Sequence, residues 1–477
     1  MTTPLFPNTE SPHPRQCHRL PLFTALVFFW GCGIVRLPGA FSDWTGSRID
    51  LDVPINESTL ANGLRVVLNE DDRLPIVSLQ LVYPVGSRDD SPGHEGLAHL
   101  FEHLMFRGSR HAHEGTFDSY LERVGGSFGQ GITHDDHTTY YETVPSNRLE
   151  YALWLESDRM AFPLDRLDAN TFEIERRIVE DELREQNHTQ CAHVQNFIWS
   201  RLFPPGHPYH PGLQTEASLR RISLEEVRAF GENFYRPNGA ILVVAGDLRA
   251  KEAHTAIEKY FGPIAPAPLP SHGPIPHVPE IGPTARQDIE ANVTNGRVIM
   301  SWITAPYGQD GDAELDIIAR MLERGGLATY LEADSEMASA VHAQQHSGKW
   351  ASVFQLELVA RPGVDAEKMI TSADKVLVEV ANHSLSMEFV RSMIFQDLLG
   401  MALRYEHPQA RAGEMAIDAF SLGEAGFVRR NVWHHEAVTP LSVMGAAYRY
   451  LSPEHRLLTV VKPTTGAPTA GRLTRSR

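Results

Sequence analysis

Hydrophobic positions recur along this chain with two periods. Val77, Leu79, Leu81 and Tyr83 alternate with other residues, the repeat of a half-buried strand, and a helix is expected from about Glu95. Val298, Met300 and Trp302 alternate in the same way ahead of an expected helix over 313–322. Ser223-Leu-Glu-Glu226 has the spacing of a capping box and opens a helix to Phe234. A strand over 240–245 should follow Tyr235-Arg-Pro-Asn238. Thr439 can cap a helix to Tyr450, and 457–461 forms the next strand. The two halves therefore begin and end alike.

Eight prolines (Pro263, Pro266, Pro268, Pro270, Pro274, Pro276, Pro279 and Pro283) separate them. Proline fixes φ and lacks an N–H, so this stretch is an extended, semi-rigid connector. The pattern predicts an α+β fold of two tandem homologous domains, each a mixed sheet with helices. The expected boundaries are an N-terminal extension over 41–57, a first domain over 58–261, a linker over 262–290, a second domain over 291–463 and a flexible tail over 464–477.

Ahead of these domains, Arg15, His18 and Arg19 precede an apolar run over 20–35, and small residues follow at Gly39 and Ala40. Basic, apolar, then small is the layout of a secretory signal over 1–40. The run falls short of the ~20 residues a membrane span needs. An uncleaved anchor, acylation at Gly31-Cys32 and a buried helix of the fold are the alternatives. An exported protein, periplasmic or held at the membrane facing the periplasm, is the expectation. The 477 residues carry a formal charge of −17, which argues against a nucleic-acid partner. Cys17, Cys32 and Cys191 are too few for a disulfide scaffold.

The chemistry lies in 96–106, Gly-Leu-Ala-His-Leu-Phe-Glu-His-Leu-Met-Phe. This helix is apolar all round except for His99, Glu102 and His103. Positions i and i+4 share one face, so His99 and His103 can aim at a common point, with Glu102 at its edge. A divalent cation offsets the cost of burying these groups. Zinc suits imidazole and carboxylate donors, and H-x-x-E-H is the inverted zincin signature.

A catalytic zinc needs a third protein ligand. The helix over 172–186 holds five Glu. Phe172, Glu175, Val179, Glu182 and Gln186 fall on one stripe, flanked by Ile178 and Leu183. Glu173 and Glu180 lie about 200° round the helix and face solvent. Glu182 is therefore assigned as the ligand and Glu175 as the carboxylate that orients ligand or water, with Glu180 as the fallback ligand. His94, His111, His113, His134 and His137 are expected in surface loops. His434-His435-Glu436 is expected to precede a loop without a partner.

These residues carry a resemblance. The chain resembles the pitrilysin/insulinase-type inverzincins, which include the mitochondrial processing peptidases and bacterial zinc proteases of half length. The match runs through Leu60-Ala-Asn-Gly-Leu-Arg-Val-Val67 (the family's opening strand), Val85-Gly-Ser-Arg-Asp89, the helix His99 to Gly108, Leu155-Glu-Ser-Asp-Arg-Met160 and Arg177-Ile-Val-Glu-Asp-Glu182. It continues through His207-Pro-Tyr209 and from Tyr235 to Asp247. The resemblance implies that His99, His103 and Glu182 bind zinc and that Glu102 is the general base. It also implies a peptide or unfolded-protein substrate and a clam-like chamber of which this chain is one half. A homodimer or a heterodimer with a homologous subunit would complete the chamber.

Phe128, Gly129, Gln130, Gly131, Ile132 and Thr133 would form the strand to which substrate adds. Here Gly129-Gln130-Gly131 replaces the family's usual Asn-Ala. The second unit usually supplies an Arg and a Tyr that grip substrate, and no counterpart is assigned in this chain. The segment over 316–322 has no ligand pattern, which makes the second half a non-catalytic wall. The expected activity is that of a zinc metalloendopeptidase. The alternatives are a non-catalytic scaffold subunit and a structural metal site without hydrolysis.

Overall fold

The computed structural model describes residue 51 and residues 53–464, apart from 114, 128, 189–191, 279–284, 325–327, 329–330, 333–335 and 384. The expected export signal, Cys191 and Phe128 lie outside the described residues. Among the described residues, no helix is long and apolar enough to cross a membrane.

The first half contains β1 (Asn56–Thr59), β2 (Arg65–Glu70), β3 (Ile76–Tyr83), α1 (Leu97–Leu104), α2 (Thr116–Arg123), β4 (Gln130–Thr133) and β5 (Thr138–Pro145). The helices α3 (Leu149–Ala161), α4 (Ala169–His188), α5 (Ala192–Leu202), α6 (Glu216–Arg221) and α7 (Leu224–Phe234) follow, then β6 (Ile241–Gly246) and α8 (Ala250–Phe261). The second half contains β7 (Ala285–Ala291), β8 (Arg297–Thr304), α9 (Asp312–Arg324), β9 (Ala338–His346) and β10 (Ser352–Ala360). It ends with α10 (Ala366–Asn382), α11 (Met387–Glu406), α12 (Pro408–Leu422), α13 (Phe427–Glu436), α14 (Pro440–Tyr450) and β11 (Leu457–Pro463).

One sheet has the order β1-β2-β6-β3-β5-β4 and the other β7-β11-β8-β10-β9. Leaving β1 aside, the orders are the same with every strand advanced by five. The orientations repeat as well. The pairs β2–β6 and β7–β11 are parallel, and the remaining pairs of the shared set are antiparallel. The capping boxes also repeat. Ser223 accepts from the Glu226 amide at α7 and Thr439 from the Ser442 amide at α14, each ahead of the last strand of its sheet.

Three local expectations change. The opening segment over 60–67 is a turn and a strand, because Leu60 N donates to Leu64 O at 2.9 Å and folds β1 against β2. β1 thus begins inside the expected extension, and β7 begins inside the expected linker. Finally, β3 is buried on both faces, not one. Val77, Leu79 and Leu81 face a core shared with α1 and α3, whereas Ser78, Gln80 and Val82 lie beneath α12 from the second half. The Ser78 and Thr143 hydroxyls bond each other at 2.7 Å, which makes polar residues tolerable there.

α5, early in sequence, packs against the far face of the second sheet, where Val194 and Ile198 meet Val353 and Leu457. The two halves are therefore interleaved in the core.

Candidate metal centre

α1 begins at Gly96, whose φ of 102° lies in the left-handed region. A Cβ there would stand 2.7 Å from Leu219, so glycine is required on both counts. The helix is capped from a distance. Asp90 accepts from Gly96 N at 2.6 Å and from Ala98 N at 2.8 Å. Burial lifts the Asp90 carboxyl to about 7 against those two donors. Leu97, Leu100, Phe101 and Leu104 are fully buried and fix the helix. Burying each such side chain contributes about 1.5–3 kcal/mol.

On this fixed base the His99 and His103 rings stand 4.9 Å apart between centroids. α4 crosses α1 and brings Glu182 to both. Its Oε2 lies 3.8 Å from His99 Nε2 and 3.5 Å from His103 Nε2. The three donor atoms lie within 4.8 Å of one another. Ligands ~2.1 Å from a tetrahedral zinc stand about 3.4 Å apart, so this donor set fits that ion with small adjustments. Burial, with His103 beside it, lowers His99 to about 4, which leaves its lone pair free at neutral pH. Burial also works against the His103 imidazolium, but Glu175, Glu182 and Glu102 outweigh it and raise its pKa.

Glu175 is 1% exposed, with Oε2 3.7 Å from His103 Nδ1. Its other oxygen pairs with Arg107 Nε at 2.8 Å. Arg107 lies just past the end of α1, in a turn where its own N donates to Leu104 O at 3.0 Å. Glu102 is buried, and burial raises its pKa. Thr133 Oγ1 donates to its Oε2 at 2.7 Å. A Cβ at Gly131 would stand 2.7 Å from Oε1, so the glycine leaves space for the carboxylate. Gly131 and Thr133 belong to β4, the outermost strand of its sheet, with Gln130 and Ile132 exposed. Gly129, just ahead of the strand, leaves room for Phe117 and Phe106.

Glu180 does not face solvent. It is 5% exposed and accepts from Arg220 at 3.0 and 3.2 Å, because α6 covers that side of α4. Arg184 donates to the same carboxylate at 3.4 Å, and Glu180 is not among the donors that converge with the imidazoles. Ile178, expected to flank the buried stripe, is 36% exposed.

Of the histidines expected in surface loops, His137 is instead buried, with Nδ1 2.8 Å from Asp136 and its ring against Phe420. His435 is also not partnerless. It lies on α13, 1% exposed, with Nε2 3.1 Å from Asp397 and 3.5 Å from Asp316. Neither joins the metal cluster.

Comparison with known proteins bears on the same region. The profile described as Insulinase (Peptidase family M16) matches residues 65–207, and that of the peptidase M16 inactive domain matches 221–395. The zinc protease PqqE of Helicobacter pylori is 26% identical over 331 residues, 66% of this chain and 72% of that protein. Several other curated relatives match over about half of their own length. The crystal structure of a protease from Helicobacter pylori shares the fold, with a TM-score of 0.77 at 20% identity, covering 86% of this chain and 100% of that one. The periplasmic protease PqqL from Escherichia coli aligns with a TM-score of 0.70 at 15% identity, over 86% of this chain but 47% of that one. The chain belongs to peptidase family M16, the insulinase family.

Proposed function

We propose that this chain is an exported zinc metallopeptidase that hydrolyses peptide bonds in peptides or unfolded proteins. The observation that carries the reading is the convergence of His99, His103 and Glu182, with Glu102 beside them and bonded to an edge strand. When bound, zinc supplies Lewis acidity to the attacking water and the scissile carbonyl. Glu102 takes the proton of that water and delivers it to the leaving amine, and its raised pKa suits both transfers. Thr133 holds one oxygen of Glu102, fixing the direction of the other. Glu175 steadies His103 from behind and is itself balanced by Arg107.

β4 is the outermost of the described strands of its sheet, so an extended peptide can add to it through main-chain hydrogen bonds. That mode reads backbone, and the residues from Gly129 to Thr133 set the register. Export is supported by the N-terminal signal pattern and by the likeness to a periplasmic protease. PqqL is about twice the aligned length, which supports a second homologous unit, a copy or a paralogue, closing a chamber around the substrate.

Glu102→Gln is the test, with zinc analysis beside a quenched-peptide assay. Zinc content should stay at the wild-type level while kcat falls about 10²–10⁴-fold. A variant that cleaves at the wild-type rate would overturn the assignment of the base. Zinc binding without any turnover, alone or with a homologous partner, would instead favour a non-catalytic subunit.

A further inference from the structure

His207-Pro208-Tyr209 has no part in the hydrolysis described above, yet the Tyr209 hydroxyl joins two distant turns. Its ring is buried on the second sheet, packed edge-on against Trp199 and Phe203 with centroids 6.1 and 5.5 Å away. The hydroxyl reaches out of that core and donates to Asp136 Oδ2 at 3.2 Å. On its other side lies the amide of Trp350, which donates to it at 3.4 Å from the turn between β9 and β10. That turn is shaped around the phenol. A Cβ at Gly348 would come within 2.8 Å of the hydroxyl.

Asp136 sits in the tight turn from β4 to β5, closed by His134 N donating to His137 O at 2.8 Å. The turn is gripped on the first-half side by Ser87 N to His134 O at 3.0 Å and Arg88 N to Asp135 O at 2.9 Å. On the second-half side, Asp136 reaches Tyr209 and His137 packs on Phe420 of α12. Thr133, which holds Glu102, immediately precedes this turn.

We infer that Tyr209 is a positioning residue. Its hydroxyl ties the β4–β5 turn to the second half, so that Thr133 meets Glu102 in the working geometry. The inference rests on the peptidase reading and gives the second half, whose described residues add no donor to the metal cluster, a task in it. Small displacements of a reacting group cost rate with little effect on substrate binding.

The test compares Tyr209→Phe, which removes only the hydroxyl, with Thr133→Val and the double variant. Tyr209→Phe should lower kcat about tenfold, with KM and zinc content unchanged. The double variant should be no slower than the slower single variant, because both act through one bond to Glu102. Asp136→Asn, which alters the same link from the other side, should repeat the loss. Hydrogen exchange at residues 131–137 should speed up in Tyr209→Phe. This last readout needs no turnover, so it decides the tie even if the wild type cleaves nothing and the peptidase reading fails. A kcat within twofold of wild type, multiplicative losses in the double variant, or unchanged exchange at the turn would each overturn the inference.

Discussion

The duplicated module lets one corner of the molecule be compared with its counterpart. In the first half, α1 and the twenty-residue α4 hold His99, His103, Glu175 and Glu182. In the second, α9 and the twenty-residue α11 occupy the same topological places and hold Asp316, Arg320 and Asp397, joined by His435 from α13. The first corner pairs Glu175 with Arg107 and turns its remaining donors, His99, His103 and Glu182, toward a common point. The second carries its own cations. Arg320 donates to Asp397, and His435 lies 3.1 Å from the same carboxylate.

The electrostatics of the two corners diverge accordingly. Burial would depress His435, but Asp316 and Asp397 outweigh it and lift it to about 10, whereas half-buried His99 falls to about 4. Burial would raise Asp397, but His435 and Arg320 bring it to about 2. One scaffold therefore supports a corner whose donors can take an external cation and a corner already neutralised from within. The side chains decide which, not the fold.

The largest effect that would break this contrast is at His435. His435→Ala leaves two carboxylates facing a buried gap, and removing one member of such a group costs about 3–5 kcal/mol. Urea unfolding should show that loss with zinc content unchanged, and a loss of zinc would mean that the corners are not independent. Next comes Glu175→Gln, expected to weaken zinc affinity 10–100-fold in a chelator competition while the unfolding midpoint of the metal-free protein moves little.

A pH series sharpens the contrast further. The folded pKa of His435 lies above the unfolded value near 6.5. Its stabilisation is thus complete below pH ~6.5 and fades as pH rises through about 10. Metal-free protein should lose stability across that window, and His435→Gln should flatten the curve. The smallest effect is at Glu180. Its partner Arg220 is half exposed, so Glu180→Gln should cost about 1 kcal/mol or less and leave zinc affinity as it was. A loss of metal there would move the third ligand from Glu182 to Glu180.

Much of this was legible in the sequence, for physical reasons. The α+β repeat could be read because the strand alternation, the capping box at Ser223 and the cap at Thr439 are local signals. His99, His103 and Glu182 could be picked out because helix periodicity selects one face, and the structure brings these three together. Periodicity failed where a third element arrived from far along the chain. Glu180 looked solvated because nothing nearby in sequence announces α6. Ser78 and Gln80 looked exposed because α12 lies more than 300 residues away. The bond from Thr133 to Glu102 was hidden for the same reason, and so was the link from Tyr209 to Asp136. His435 was misjudged because its carboxylates come from two other helices.

The position of α12 has a practical corollary for anyone dividing this protein. A fragment ended at the proline connector would keep every proposed zinc ligand and still lack the roof over Ser78, Gln80, Val82, Ile241 and Val243. Those strands would then present an oily, unpaired surface to water, and such surfaces stick to one another. Ancestral modules of this kind can be copied in tandem, but once a helix of one copy shelters the sheet of the other they no longer travel separately.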